Sequence, residues 1–150
     1  MPVKKLEQVY FYHLEKAIKT YRQFAQQQIR KKGYTITVDQ WLLLKAIEEN
    51  PGINQNALSE MVFKDKASVA RIIELLVSEG YLARSTQASG GSRSRITLTA
   101  PGKKIIRKIL PVIMQNRETA LNKIPRTDIS VSEKVLKSII KNCTDGKNSG

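Results

Sequence analysis

Cysteine is almost missing from this chain. Cys143 is the only one, so no intrachain disulfide framework can form and no cysteine cluster can hold a metal. Histidine is equally scarce: His13 stands alone with no cysteine near it, which is poor material for a zinc site or a Ser-His-Asp arrangement. Apolar runs are short. None approaches the roughly 18 to 20 residues that cross a bilayer, and Met1 to Leu6 has no signal-peptide core, so a cytoplasmic protein outside the membrane is expected. There is no Walker loop, no dinucleotide fingerprint and no carboxylate pair placed for acid and base work, so neither an enzyme nor a cofactor is expected. Acid is short as well. Thirteen Asp and Glu face 26 Lys and Arg, a formal net charge of +13, and such a field favours polyanions. Nucleic acid is the first candidate partner, with an anionic membrane surface as the competitor. The 150 residues suit one domain of roughly 100 to 200 residues, or a subunit of a dimer that shares a core.

What is present is helical periodicity broken by one hairpin. From about Lys4 to Lys31, Leu6, Val9, Leu14, Ala17, Ile18, Tyr21, Phe24 and Ile29 recur at helical spacing. A helix this long, roughly 40 Å at 1.5 Å per residue, is either an extended partner-facing element or an ordinary core helix. Gly33 ends it. Thr37 with Gln40 forms a capping box that opens a second helix, whose apolar face carries Trp41, Leu42, Leu44, Ala46 and Ile47. Asn50-Pro51-Gly52 closes that helix, and Ile53 to Val62 holds a short third one. Phe63-Lys64-Asp65 makes a turn, and Asp65 is a good N-cap for a fourth helix with Val69, Ile72, Ile73 and Leu76 on its buried face.

The outward positions of that fourth helix are then Lys66, Ala67, Ser68, Ala70 and Arg71, with no carboxylate among them. A helix that lies against phosphates and base edges should exclude acids in this way; a solvated basic turn is the plainer account. Tyr81 to Ser85 alternates as a strand, Ser89-Gly90-Gly91-Ser92 is a tip, and Arg95 to Thr99 returns. This hairpin carries Arg84, Arg93 and Arg95 and no acid, and a glycine-rich tip lets guanidinium groups follow a groove or phosphate ridge. Ala100-Pro101-Gly102 punctuates the chain, with Thr99 able to cap a long helix to about Lys123 that Pro111 should kink and Pro125 should close. Ser130 and Glu133 form a second capping box for a final helix ending near Cys143, and 144–150 reads as a polar, disordered tail.

These elements predict a mainly α fold with a small β-hairpin wing in one domain over 1–150. A winged helix-turn-helix head occupies about 37–100, and 4–31 with 102–143 form a helical dimerisation region whose apolar stripes a second copy would cover.

The chain resembles the MarR family of transcriptional regulators over nearly its whole length. The resemblance is carried by Thr37-Val38-Asp39-Gln40-Trp41, by Asn54-Gln55 with Leu58-Ser59, by Asp65 to Ile73, by Glu79-Gly80-Tyr81-Leu82 and by Leu98-Thr99-Ala100-Pro101-Gly102. It implies a homodimer that binds double-stranded DNA at a pseudo-palindromic operator, usually as a repressor, with release by a small aromatic or anionic ligand or by thiol oxidation. Carried over by position, Lys66, Ser68 and Arg71 are recognition contacts and Arg93 is the wing-tip arginine. Lys64, Ala67, Ala70, Arg84 and Arg95 complete the expected DNA-binding set. Gly91 stands where the family often has an Asp two residues before the wing arginine, so Arg95 could share that role. The family's cleft would place His13, Tyr21 and Trp41 as ligand-lining candidates; core or interface packing is the plainer account of them. The reactive cysteine of the redox branch lies near the start of the chain and has no counterpart here, and Cys143, on an apolar stripe, reads as a small buried hydrophobe, with an exposed sensor thiol near Lys137 and Lys141 as the alternative. A protein-interaction module and a non-specific architectural nucleic-acid binder are the alternative functions.

Overall fold

The computed structural model describes residues 2–86 and 94–145. A short 3-10 turn, Leu6–Gln8, precedes α1 (Tyr10–Lys31), α2 (Val38–Glu49), α3 (Gln55–Met61) and α4 (Lys66–Ser78). The antiparallel hairpin β1 (Leu82–Thr86) and β2 (Ser94–Leu98) follows, then α5 (Ala100–Ala120) and α6 (Arg126–Asp145). Two compact units result, Met1–Asn116 and Arg117–Gly150.

Capping chemistry sets the boundaries in the first unit. Thr37 Oγ1 accepts from the Gln40 amide while Gln40 Oε1 accepts from the Thr37 amide, each at 3.0 Å, so two orphan donors of α2 are satisfied reciprocally. Asn54 caps α3 by accepting from the Ala57 amide at 2.8 Å. Gly80, at φ +83, supplies the left-handed conformation that turns the chain from α4 into β1. The hairpin pairs Leu82 with Leu98, Arg84 with Ile96 and Ser85 with Arg95, so Leu82 and Leu98 lie at its base beside the core.

That core is formed by Ile29, Trp41, Leu43, Leu44, Leu58, Val69, Ile73, Leu76, Leu82, Ile106 and Ile109, each almost fully excluded from solvent. Burial of an aliphatic side chain of this size is worth roughly 1.5–3 kcal/mol. The polar groups among them are partnered: Trp41 Nε1 donates to the Ile106 carbonyl at 3.1 Å, and Asn116 Nδ2 to the Ala25 carbonyl at 3.3 Å.

Several boundaries differ from expectation. The first helix starts at Tyr10, after the 3-10 turn, rather than near Lys4. Thr99 caps α5 as expected, its Oγ1 accepting from the Gly102 amide at 3.1 Å, so Ala100-Pro101-Gly102 form the first turn of the helix, where a proline loses no intrahelical bond. The α5 helix runs through Pro111 and ends at Ala120, with Lys123 at φ +63 in the connection. The Ser130 capping box does not form. Instead α6 begins at Arg126, with the Pro125 carbonyl accepting from the Asp128 and Ile129 amides, so Ser130 and Glu133 lie inside the helix. Thr144 belongs to α6 and donates to the Ile140 carbonyl at 2.9 Å; 146–150 lie outside the described residues.

The two terminal regions keep large apolar side chains in solvent. In the first unit Leu6, Phe11 and Ile18 are at least half exposed. In the second, α6 buries no residue, and Val131, Val135, Leu136 and Ile140 are exposed. Cys143 is exposed too, which corrects the expectation of a buried thiol.

Candidate nucleic-acid interface

The front of α4 is built from its cap. Asp65 Oδ1 accepts from the Ser68 amide at 2.7 Å and Oδ2 from the Ser68 hydroxyl at 2.9 Å. Those two bonds, and after them the nearby Arg71 charge, hold the Asp65 carboxyl below its ordinary value. Arg71 Nη2 in turn donates to Ser68 Oγ at 3.4 Å. Val69, Ile73 and Leu76 on the opposite face are sealed in the core, so this helix cannot rotate without exposing them. Lys66, Ala67 and Arg71 are consequently held outward and exposed, while Ser68 and Ala70 are half-buried. The Ser68 hydroxyl proton is already committed to Asp65, so Ser68 donates to a ligand only by exchanging that bond.

Carboxylates from other elements flank this front, which a reading of the α4 and hairpin segments by themselves does not show. Lys64 Nζ lies 3.1 Å from Asp39 Oδ2 in α2, and Asp39 Oδ1 receives Arg22 Nη1 of α1 at 2.7 Å. Arg84 of β1 pairs with Glu74 of α4. The hairpin strands themselves carry no acid, yet Arg84 is matched by one across the α4–β1 corner. Arg95 is exposed on β2. Arg93 and the Ser89-Gly90-Gly91-Ser92 tip lie outside the described residues. Asp39, Arg22 and Glu74 were not among the residues expected here, since pairs separated by 25, 17 and 10 positions leave no periodic trace in a sequence.

The arrangement combines exposed cations on a rigid helix with a basic hairpin, a surface that can neutralise phosphates and present donors to base edges. Phe63, at the turn into α4, is 88 % exposed at φ +59, an unusual conformation for an aromatic residue.

The residues expected to line a ligand cleft differ in exposure. His13 is exposed on α1, edge-on to Tyr12 at 6.2 Å; Tyr21 is half-buried; Trp41 is a core residue, 2 % exposed, with its ring N–H satisfied by Ile106. An open groove near the start of α1 is lined instead by Leu6, Val9, Phe11, Tyr12, Leu14 and Ile18. Among the described residues no group of three His, Cys, Asp or Glu could hold a metal ion, and no helix is long and apolar enough to cross a membrane.

Residues 33–93 match the model of the MarR family. The transcriptional regulator HosA of Escherichia coli O157:H7 is 31% identical over 100 residues, 65% of this chain and 74% of that protein. A protein of Thauera aromatica described as a putative transcriptional regulator of the hcr operon is 28% identical over 105 residues, 69% of this chain and 62% of its own length. In fold, BpsR of Bordetella bronchiseptica superposes with a TM-score of 0.82 at 18% identity, over 92% of this chain and 97% of that one. MepR of S. aureus, solved as a DNA complex, superposes with a TM-score of 0.76 at 18% identity, over 91% and 98%. The family match, the HosA relative and the winged head together place this chain in the MarR family of transcriptional regulators.

Proposed function

We propose that this chain acts as a homodimeric repressor, reading a pseudo-palindromic double-stranded operator with α4 in the major groove and releasing it in response to a small aromatic or anionic ligand. The observation that carries the reading is the front of α4. Lys66, Ala67 and Arg71 are exposed on a helix whose other face is locked into the core. Arg71 can reach a base edge, Lys66 a phosphate, and Ser68 can accept from a base edge or, once its proton leaves Asp65, donate to a phosphate. Arg84 and Arg95 lie on the strands that would follow the backbone, and Arg93 belongs to the tip that would enter the adjacent minor groove, where cations favour narrow A·T tracts. Lys64, held by Asp39, and Arg84, held by Glu74, are expected contacts that already pair with a carboxylate.

Dimerisation is supported by the apolar faces left uncovered on the early part of α1 and, separately, along α6. A twofold dimer of heads would set its half-sites about one helical turn apart, roughly 34–36 Å. The fold neighbours support the partners: MepR was solved with DNA, and the BpsR structure concerns regulation of DNA binding by 6-hydroxynicotinic acid. His13 and Tyr21 are accessible enough to meet an aromatic acid, whereas Trp41 would sense one only from behind the wall.

Selection from a random duplex pool, repeated with aromatic acids present, tests the reading. Enrichment of an inverted repeat whose binding an aromatic acid weakens is expected. Duplex retention without any enriched motif would replace it by an architectural binder, and no retention at low salt by a protein-interaction module.

A further inference from the structure

From the clasp behind the recognition helix we infer that Asp39 is a positioning residue that withholds Lys64 from DNA and so limits sequence-independent affinity. This rests on the DNA-binding reading above and adds a residue to it. Both oxygens of the Asp39 carboxylate are occupied, one by Arg22 of α1 at 2.7 Å and the other by Lys64 at 3.1 Å. Lys64 directly precedes Asp65, the cap of α4, so without the clasp its ammonium would stand beside Lys66 at the edge of the proposed interface. Asp39 itself sits in the first turn of α2, where the helix dipole favours negative charge. Its location is held independently by Gln26, whose Oε1 accepts from the Val38 amide at 2.9 Å, and by the Thr37–Gln40 box.

The physical consequence follows from counterion release. A lysine that meets a phosphate releases condensed cations and steepens the salt dependence, by about 0.9 in the slope of log K against log salt per phosphate neutralised. A lysine already held by a carboxylate must break that pair first, and the freed carboxylate then faces the polyanion. The front of α4 thus offers Lys66 and Arg71 to the duplex while Lys64 is kept back. Every non-specific genomic site competes with an operator, so a cation removed from general phosphate binding frees protein for its specific target.

The test uses the full chain and a random-sequence duplex, titrated between 50 and 200 mM salt. Asp39→Asn preserves shape and the Gln26 and Thr37 contacts while freeing Lys64. The slope should steepen by about 0.9, so that a fourfold rise in salt costs the variant about 3.5 times more affinity than it costs the wild type. Lys64→Gln alone should leave the wild-type slope unchanged, and in the double variant it should cancel the steepening. An unchanged slope in folded Asp39→Asn overturns the inference. So does a shallower slope in Lys64→Gln, which would mean that Lys64 already meets phosphate and which refutes the inference even if Asp39→Asn unfolds. If the wild-type chain does not bind duplex at all, the DNA-binding reading fails first and takes this one with it.

Discussion

Gly102→Ala should destabilise the protein, although the same change within an ordinary helix would stabilise it. Gly102 is the third residue of α5, and in an unobstructed helix alanine is preferred over glycine by roughly 0.5–1 kcal/mol. Here an added Cβ would lie 2.2 Å from the Tyr81 carbonyl oxygen and 2.8 Å from Leu98 Cδ1. The leucine terminus can swing aside. The carbonyl is backbone, and it also accepts from the Thr99 amide at 3.2 Å, so relief requires the start of α5 to separate from the entry to β1. Overpacking of this kind costs typically about 1–3 kcal/mol, and weakening the Thr99–Tyr81 hydrogen bond adds about 1 kcal/mol. Set against the propensity gain, the net loss is about 1–3 kcal/mol, and at about 2–4 °C per kcal/mol for a chain of this size it lowers Tm by roughly 2–12 °C. Thermal unfolding followed by far-UV circular dichroism, at one protein concentration because association shifts Tm, reads this directly. A variant as stable as the wild type, or more so, would show that α5 does not press on the base of the hairpin and would remove the account of how the wing is anchored.

Phe63→Gly should have the opposite sign. A left-handed conformation costs a side-chain-bearing residue about 1–2 kcal/mol, glycine loses about 0.5–1 kcal/mol of chain entropy, and at 88 % exposure there is little burial to forfeit. A gain of about 0.5–1 kcal/mol in urea unfolding is expected, and a loss would mean that the ring packs on something in solution. The Asp65 cap should fail only in acid. Its folded pKa is lowered from 3.8 by the Ser68 amide and hydroxyl, so the cap's contribution is complete above 3.8 and disappears as pH falls through the lower folded value. The Ser68 amide signal in an NMR titration should therefore move with a midpoint below 3.8; a midpoint at or above it contradicts the bonded cap.

Local chemistry was legible in the sequence, and long-range contact was not. The Thr37–Gln40 box, the Asp65 cap and the outward Lys66, Ala67 and Arg71 of α4 could be read because each depends on residues within one or two turns, while Ser68 and Ala70 are half-buried. The Ser130–Glu133 box failed because a Ser-x-x-Glu pattern fits a helix interior as well as a start, and Pro125 opens the helix five residues earlier than that pattern suggests. Gly102 read as punctuation, whereas its small size serves a close approach to Tyr81. The family resemblance offers Trp41 as a ligand-lining candidate with core packing as the plainer account, and its burial and its bond to Ile106, 65 residues away, are features no local pattern shows. For the same reason the basic front appeared free of acid until Asp39 and Glu74 were brought to it by the fold.

The claim that α4 reads base pairs is tested most directly by Arg71→Ala on the duplex selected by the wild-type chain, with each base pair of the site varied in turn. The account predicts a loss of about 1–3 kcal/mol together with relaxed preference at one symmetry-related base pair in each half-site. Wild-type affinity and an unchanged preference at every position would contradict it.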